Sequence, residues 1–165
     1  MREKIKHYIK EITLFFVVMT ILANALSFYK SGELNKEPLA LNSVTLMDNQ
    51  EYSLSHNKPV LVHFWAVWCP TCKLESANIQ SISKDFEVLT IAVKSGSDEE
   101  IQNFLDENEL SFKVFNDNEG VYAQKFNISA YPTTFIYDKN KNLVFSEVGY
   151  TSTWGLYLRM WWAGL

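Results

Sequence analysis

The chain has 165 residues, 47% hydrophobic and 15% aromatic, enough for one packed domain and a small appendage. Its net charge of −4 is unevenly placed: Arg2, Lys4, Lys6 and Lys10 stand against Glu3 and Glu11, which leaves 11 basic and 17 acidic residues, about −6, in the rest. That excludes the basic stripe of a nucleic-acid binder, so no nucleic acid is expected as a partner. Two cysteines cannot build a scaffold of several disulfides, and a core of this size needs none.

Residues 12–29 (ITLFFVVMTILANALSFY) form an uncharged apolar run, weakened by Thr13, Thr20, Asn24 and Ser27. At ~1.5 Å per residue it is about long enough to cross a bilayer. Basic residues precede it and its far flank is mixed, which leaves residues 1–11 in the cytoplasm and sends the remainder across. The expectation is a single-pass anchor in a bacterial inner membrane with the C-terminal domain in the periplasm. The alternative is a signal peptide with an apolar core at Leu14–Leu22, cleaved after Ala23-Asn24-Ala25, giving a secreted or periplasmic protein. A buried soluble helix is disfavoured, because no polar face is present. Either leading reading delivers the two cysteines to an oxidising compartment. No cysteine follows the run to make a lipoprotein site.

Residues 30–38 are a polar linker. Leu39–Leu54 alternates weakly about Asp48-Asn49-Gln50, which predicts a β-hairpin. Pro59–Ala66 (PVLVHFWA) is a near-continuous apolar strand of the kind found at the centre of a parallel sheet. A helix is predicted over Pro70–Lys84, striped by Leu74, Ala77, Ile79 and Ile82, and a second buried strand over Phe86–Val93. Ser97 with Glu100 three residues on makes a capping box for a helix ending near Asn108. Phe112–Phe115 reads as a short strand and Gly120–Phe126 as a helical turn or two. Thr133–Asp138 and Leu143–Val148 are strands joined by a turn at Lys139–Asn142, and Ser152–Trp162 closes as a helix. Strands alternating with helices indicate an α/β fold with a mixed sheet covered by helices.

The two cysteines lie in Trp65-Ala66-Val67-Trp68-Cys69-Pro70-Thr71-Cys72, where the apolar strand gives way to a helix. A C-x-x-C at such a junction is a redox motif. The free N–H groups and positive dipole of the helix start stabilise a thiolate at Cys69. Pro70 suits the first turn, where its missing N–H has no helical partner. Cys72 is close enough to resolve a mixed disulfide formed at Cys69. The competing readings are an inert structural disulfide or half a zinc site. The short loop argues against the first and the lack of a second cysteine pair against the second.

This segment, followed about sixty residues later by Ala130-Tyr131-Pro132-Thr133-Thr134-Phe135, resembles the thioredoxin fold over residues 39–162. With the N-terminal anchor, the extra hairpin, Glu75 in C-x-x-C-x-x-E and Gly120, it resembles the TlpA-type branch of membrane-tethered oxidoreductases, and within it the suppressor-of-copper-sensitivity D-like proteins. The resemblance implies a thioredoxin-like domain over residues 39–165 and a redox-active Cys69–Cys72 disulfide. It also implies a cis peptide before Pro132, turning the Tyr131 backbone toward the disulfide to pair with substrate. The implied activity is disulfide exchange with protein thiols, with a membrane electron donor or acceptor as further partner. No organic cofactor or resident metal is expected. Two positions depart from the pattern. His63 stands where thioredoxins carry a buried Asp, and Thr133 where cytochrome-c-maturation relatives carry Glu.

Those departures leave choices open. His63 is either a proton acceptor for Cys72 or a core histidine with a satisfied partner. Glu75, one helical turn after Cys72, is either a proton-transfer group or a solvated helix charge. Pro132 is otherwise an ordinary turn proline. Trp65 and Trp68 are expected to be part core and part rim of a docking surface. The rival function is copper handling, with Cu(I) held by the two thiolates and His63.

Overall fold

The computed structural model describes residues 2–41 and 43–165; Asn42, inside the expected hairpin, lies outside the described residues, as do the side chains of residues 2–6, 23 and 28. Twelve elements follow in chain order. They are α1 (Arg2–Ser31), β1 (Ser43–Thr45), β2 (Glu51–Ser53), β3 (Val60–Trp65), α2 (Pro70–Ile82), β4 (Glu87–Val93), α3 (Asp98–Glu107), β5 (Val114–Asp117), α4 (Val121–Lys125), β6 (Thr133–Tyr137), β7 (Leu143–Val148) and α5 (Thr153–Ala163).

The main sheet has the order β5-β4-β3-β6-β7. β3, β4 and β5 run parallel, while β6 and β7 are antiparallel to their neighbours. Two successive crossovers in one direction, each right-handed, put α2 and α3 on the same face. α5 returns to that face after β7. There Leu61 and Trp65 of β3 pack with Ile79 and Ile82 of α2, Ile101 and Leu105 of α3, and Leu156 and Met160 of α5. The other pleat of β3, Val60, Val62 and Phe64, packs with Ala123, Phe126, Phe135 and the hairpin residues Leu41, Val44 and Leu54. A strand covered on both faces has no polar side, which is why β3 reads as one apolar run. The rings of Phe64, Phe126 and Phe135 meet at centroid distances of 5.0–5.8 Å.

The capping box of α3 is present: Ser97 Oγ accepts from Glu100 N at 3.3 Å, and Glu100 Oε2 accepts from Ser97 N at 2.7 Å. Three boundaries differ from expectation. α2 stops at Ile82, two residues short of Lys84, because Ser83 and the residues after it close turns on the last carbonyls. β5 lies two residues further on than Phe112–Phe115. Phe112 is buried, but pairing with β4 begins at Thr90 opposite Val114 and runs to Asp117. Asp117 ends the strand because its carboxylate accepts from Tyr122 N and Ala123 N and so holds the start of α4. Among the described residues of the expected hairpin, Ser43–Thr45 pairs with Glu51–Ser53 as a separate two-stranded sheet.

α1 runs well beyond the apolar stretch at its N-terminal end. Its 25-residue part His7–Ser31 is long and apolar enough to cross a membrane, and its side chains from His7 to Leu22 are exposed. The far end touches the domain, where Ser27 Oγ accepts from Val148 N on the edge strand β7 at 3.1 Å. The polar residues that follow are tied down too. Asn35 N donates to Phe126 O, Leu39 N donates to Lys141 O, and Leu34 is buried.

Candidate active site

β3 ends at Trp65 and the chain turns through Ala66–Trp68, with Cys69 N donating to Ala66 O at 3.1 Å and Val67 N to Ser95 Oγ at 3.2 Å. Cys69 is the N-cap of α2, extended at φ −93° and ψ 111°, and Pro70 occupies the first turn. Its sulfur accepts from Cys72 N at 3.2 Å, so it takes the place of the usual capping oxygen. Cys69 and Cys72 form a disulfide with Cα atoms 5.2 Å apart. Cys69 retains 6% exposure and Cys72 only 1%, so an incoming thiol meets Cys69 first.

Two aromatic side chains flank this pair. Trp68 is 59% exposed, donates from Nε1 to Lys94 O at 3.0 Å, and meets the Tyr131 ring edge-on at 5.5 Å. The Tyr131–Pro132 peptide is cis. Its loop is held by Gly149 N donating to Pro132 O at 2.8 Å and by Thr133 Oγ1 donating to Ala130 O at 2.8 Å. Burial, and then the Asp117 carboxylate, push the Tyr131 hydroxyl above its ordinary pKa. Trp65 belongs wholly to the core, between Phe104 and Phe112.

Beneath the site the sheet carries a row of polar residues in register: Thr90, His63, Thr134 and Glu147 on β4, β3, β6 and β7. His63 Nδ1 is 2.9 Å from Thr134 Oγ1. Nδ1 is therefore engaged by the neighbouring strand. Burial drives the imidazole pKa down to about 3, so His63 stays neutral through the range in which an ordinary histidine changes charge. Of the two readings of His63, this geometry favours the core histidine with a satisfied partner.

Glu75 is fully buried on α2, which rules out a solvated helix charge. Oε1 accepts from Thr151 N at 3.0 Å, and Oε2 has no partner. Burial raises its pKa to about 8; the Thr151 N–H opposes the rise and the Glu147 carboxylate adds to it. Glu147 is in turn held by Thr151 Oγ1 at 3.0 Å and by a close ion pair with Arg159 of α5. Thr134, Glu147, Thr151 and Arg159 were not anticipated as surroundings of the site. The one trace in sequence is the charged Glu147 inside the strand LVFSEV; Thr151 and Arg159 leave none. Among the described residues, no group of three or more His, Cys, Asp or Glu is placed to hold a metal ion.

Residues 37–146 match the AhpC/TSA family. A thioredoxin-like protein of Haemophilus influenzae is 32% identical over 97% of this chain and 97% of its own length. The sporulation thiol-disulfide oxidoreductase A of Bacillus subtilis is 22% identical, covering 84% of this chain and 88% of its own length. In three dimensions the chain superposes on a secreted thiol-disulfide isomerase of Corynebacterium glutamicum with a TM-score of 0.68 at 20% identity, covering 78% of this chain and 84% of that one. The chain thus belongs to the AhpC/TSA family and is an oxidoreductase with a thioredoxin fold, its mixed sheet joined by a small extra hairpin sheet and preceded by a candidate membrane span.

Proposed function

We propose that this protein is a membrane-tethered, extracytoplasmic thiol–disulfide oxidoreductase of the TlpA type, acting on protein thiols through Cys69 and Cys72. The observation that carries this reading is the Cys69–Cys72 disulfide at the N-terminus of α2, beside the cis Tyr131–Pro132 peptide. In the reduced state the Cys69 thiolate, favoured by the helix start, attacks one sulfur of a substrate disulfide and releases the other as a thiolate. Cys72 gives up its proton and attacks Cys69 Sγ. The Cys69–Cys72 bond forms, and the substrate leaves with one thiol and one thiolate, which takes its proton from water. The same steps in reverse oxidise a substrate.

Glu75, fully buried one helical turn after Cys72 and with Oε2 unpartnered, is the group assigned to exchange a proton with Cys72. Tyr131 offers backbone to an extended substrate segment, and Trp68 an apolar rim. Residues 12–29 serve as the anchor and residues 39–165 as the periplasmic domain, with a membrane protein supplying or accepting electrons. In the copper reading the two sulfurs would hold Cu(I), and His63, whose Nδ1 is engaged by Thr134, has only Nε2 left to add to them.

The test is Cys72→Ser in the full chain. It should accumulate a mixed disulfide between Cys69 and a substrate protein, removed by dithiothreitol, with wild type reducing insulin and the variant not. No adduct, no insulin reduction by wild type and a stoichiometric Cu(I) complex of the reduced protein would instead establish the copper reading.

A further inference from the structure

α5 buries Leu156, Met160 and Ala163 and leaves its opposite face open. On that face Trp154, Leu158, Trp161 and Trp162 are 81%, 65%, 60% and 62% exposed. Their spacing of four, seven and eight residues from Trp154 makes one continuous stripe along the helix. Three outward tryptophans in eleven residues are more aromatic surface than water-facing helices carry, and tryptophan is the residue type that settles at a membrane–water boundary.

The stripe does not end in solvent. Trp161 also lines a cavity of about 590 Å³ whose rim carries Lys58, Lys84 and Lys113. The lining also carries Asp85 and Glu87, and each has an oxygen held by a neighbour. Glu87 Oε1 accepts from Tyr52 Oη at 2.8 Å and from Ser55 N at 2.9 Å, and Asp85 is held by a short hydrogen bond from Tyr157 Oη. Lys113 Nζ sits 3.6 Å from the centre of the Tyr52 ring, and Lys141 Nζ donates to the carbonyl of Lys58. Three lining lysines, with Lys141 beside Lys58, therefore stand near two carboxylates, Asp85 and Glu87. An apolar aromatic face with cationic groups at one end is the arrangement of a helix lying on an anionic bilayer surface. The same chain carries α1 as a candidate span, and the residues after it are held against the domain, so a bilayer is within reach.

We propose that the outer face of α5, with the lysine-rimmed cavity at its C-terminal end, rests on the surface of a bilayer containing anionic phospholipid. The tryptophans lie at the acyl–headgroup boundary and the lysines face the headgroup phosphates. The domain is then held at two places, by its anchor and by this face, which fixes how Cys69 is presented. This inference does not depend on the direction of disulfide exchange.

The full chain, reconstituted in phosphatidylcholine vesicles with or without phosphatidylglycerol, tests it by tryptophan quenching from lipids brominated along the acyl chain. Anchoring by α1 occurs in every sample, so the readout is the depth of the tryptophans and not binding. Quenching is expected, stronger with phosphatidylglycerol. Most of it should disappear in W154F/W161F/W162F, which leaves Trp65 and Trp68 in place. The phosphatidylglycerol increment should shrink in K58Q/K84Q/K113Q. Equal fluorescence in brominated and plain vesicles overturns the proposal, as does quenching that survives the three Trp→Phe changes. Cross-linking of α5 to a second copy or to another protein, with the tryptophans unquenched, assigns the face to a protein partner and overturns it too.

Discussion

Replacing Glu75 by Gln should abolish a pH dependence of stability that the wild-type chain must show. The side chain is fully buried, has one hydrogen-bond donor for two oxygens, and lies near a second carboxylate. Its pKa rises from the ordinary 4.5 to about 8. At about 1.4 kcal/mol per unit, ionised Glu75 costs on the order of 5 kcal/mol in the fold. The folded chain holds the proton more tightly than the unfolded chain. The stability tied to that proton is therefore complete below pH 4.5 and is lost as pH rises toward 8. Gln keeps the shape and an oxygen to accept from Thr151 N, but cannot ionise. Denaturant unfolding of the full chain in detergent at pH 5, 6, 7 and 8 should show the advantage of Glu75→Gln growing by about 1 kcal/mol per pH unit. Insulin reduction by the variant should lose the limb of its pH–rate profile near 8. Parallel stability curves together with an unchanged rate profile would refute the reasoning.

Three further outcomes follow from the geometry. His63→Ala should lower stability by about 2–4 kcal/mol, because it opens a cavity and leaves the Thr134 hydroxyl unpaired; its exchange rate should keep the wild-type pH profile between 5 and 8, and an imidazole resonance assigned to His63 by its loss in the variant that titrates in that range would contradict this. Iodoacetamide should modify Cys69 before Cys72 in the reduced protein at mildly acidic pH, as mass spectrometry of the labelled peptides would show; faster labelling of Cys72 would reverse the assignment of the two thiols. A chain of residues 32–165 should stay soluble and unfold cooperatively, with a loss of about 1 kcal/mol for the Ser27–Val148 hydrogen bond, and aggregation on removal of α1 would place that helix in the core.

Much of this architecture was legible because its signals are local. The unbroken apolar run of β3 follows from burial on both faces, and the Ser97–Glu100 box starts α3 where its spacing predicts. The C-x-x-C at a strand–helix boundary placed Cys69 at the start of α2, where it stands as the N-cap. What stayed hidden depends on partners distant in sequence. Thr134 reaches His63 across 71 residues through sheet register, which no periodicity encodes. Glu75 could not be told from a solvated helix charge by spacing alone, because its burial is set by α5 and the turn at Thr151, 76 residues away. Residues 30–38 look like a free linker by composition, but Leu34 and Asn35 are held by contacts that composition does not reveal. β5 was displaced for a related reason: Phe112 carries strand-like apolarity but serves the core beside Trp65, outside the β4 ladder.

The central claim is that Cys69 and Cys72 are a working redox couple for protein thiols. Its most direct test is a redox titration of the full chain in glutathione buffers, quenched and resolved by thiol alkylation. The account predicts one two-electron transition, with a potential in the range of about −120 to −270 mV occupied by exchange-active C-x-x-C proteins. It also predicts that the oxidised and reduced forms interconvert with a protein dithiol substrate. A pair that stays oxidised across the whole glutathione range, or is reduced without exchanging with any protein thiol, would contradict it.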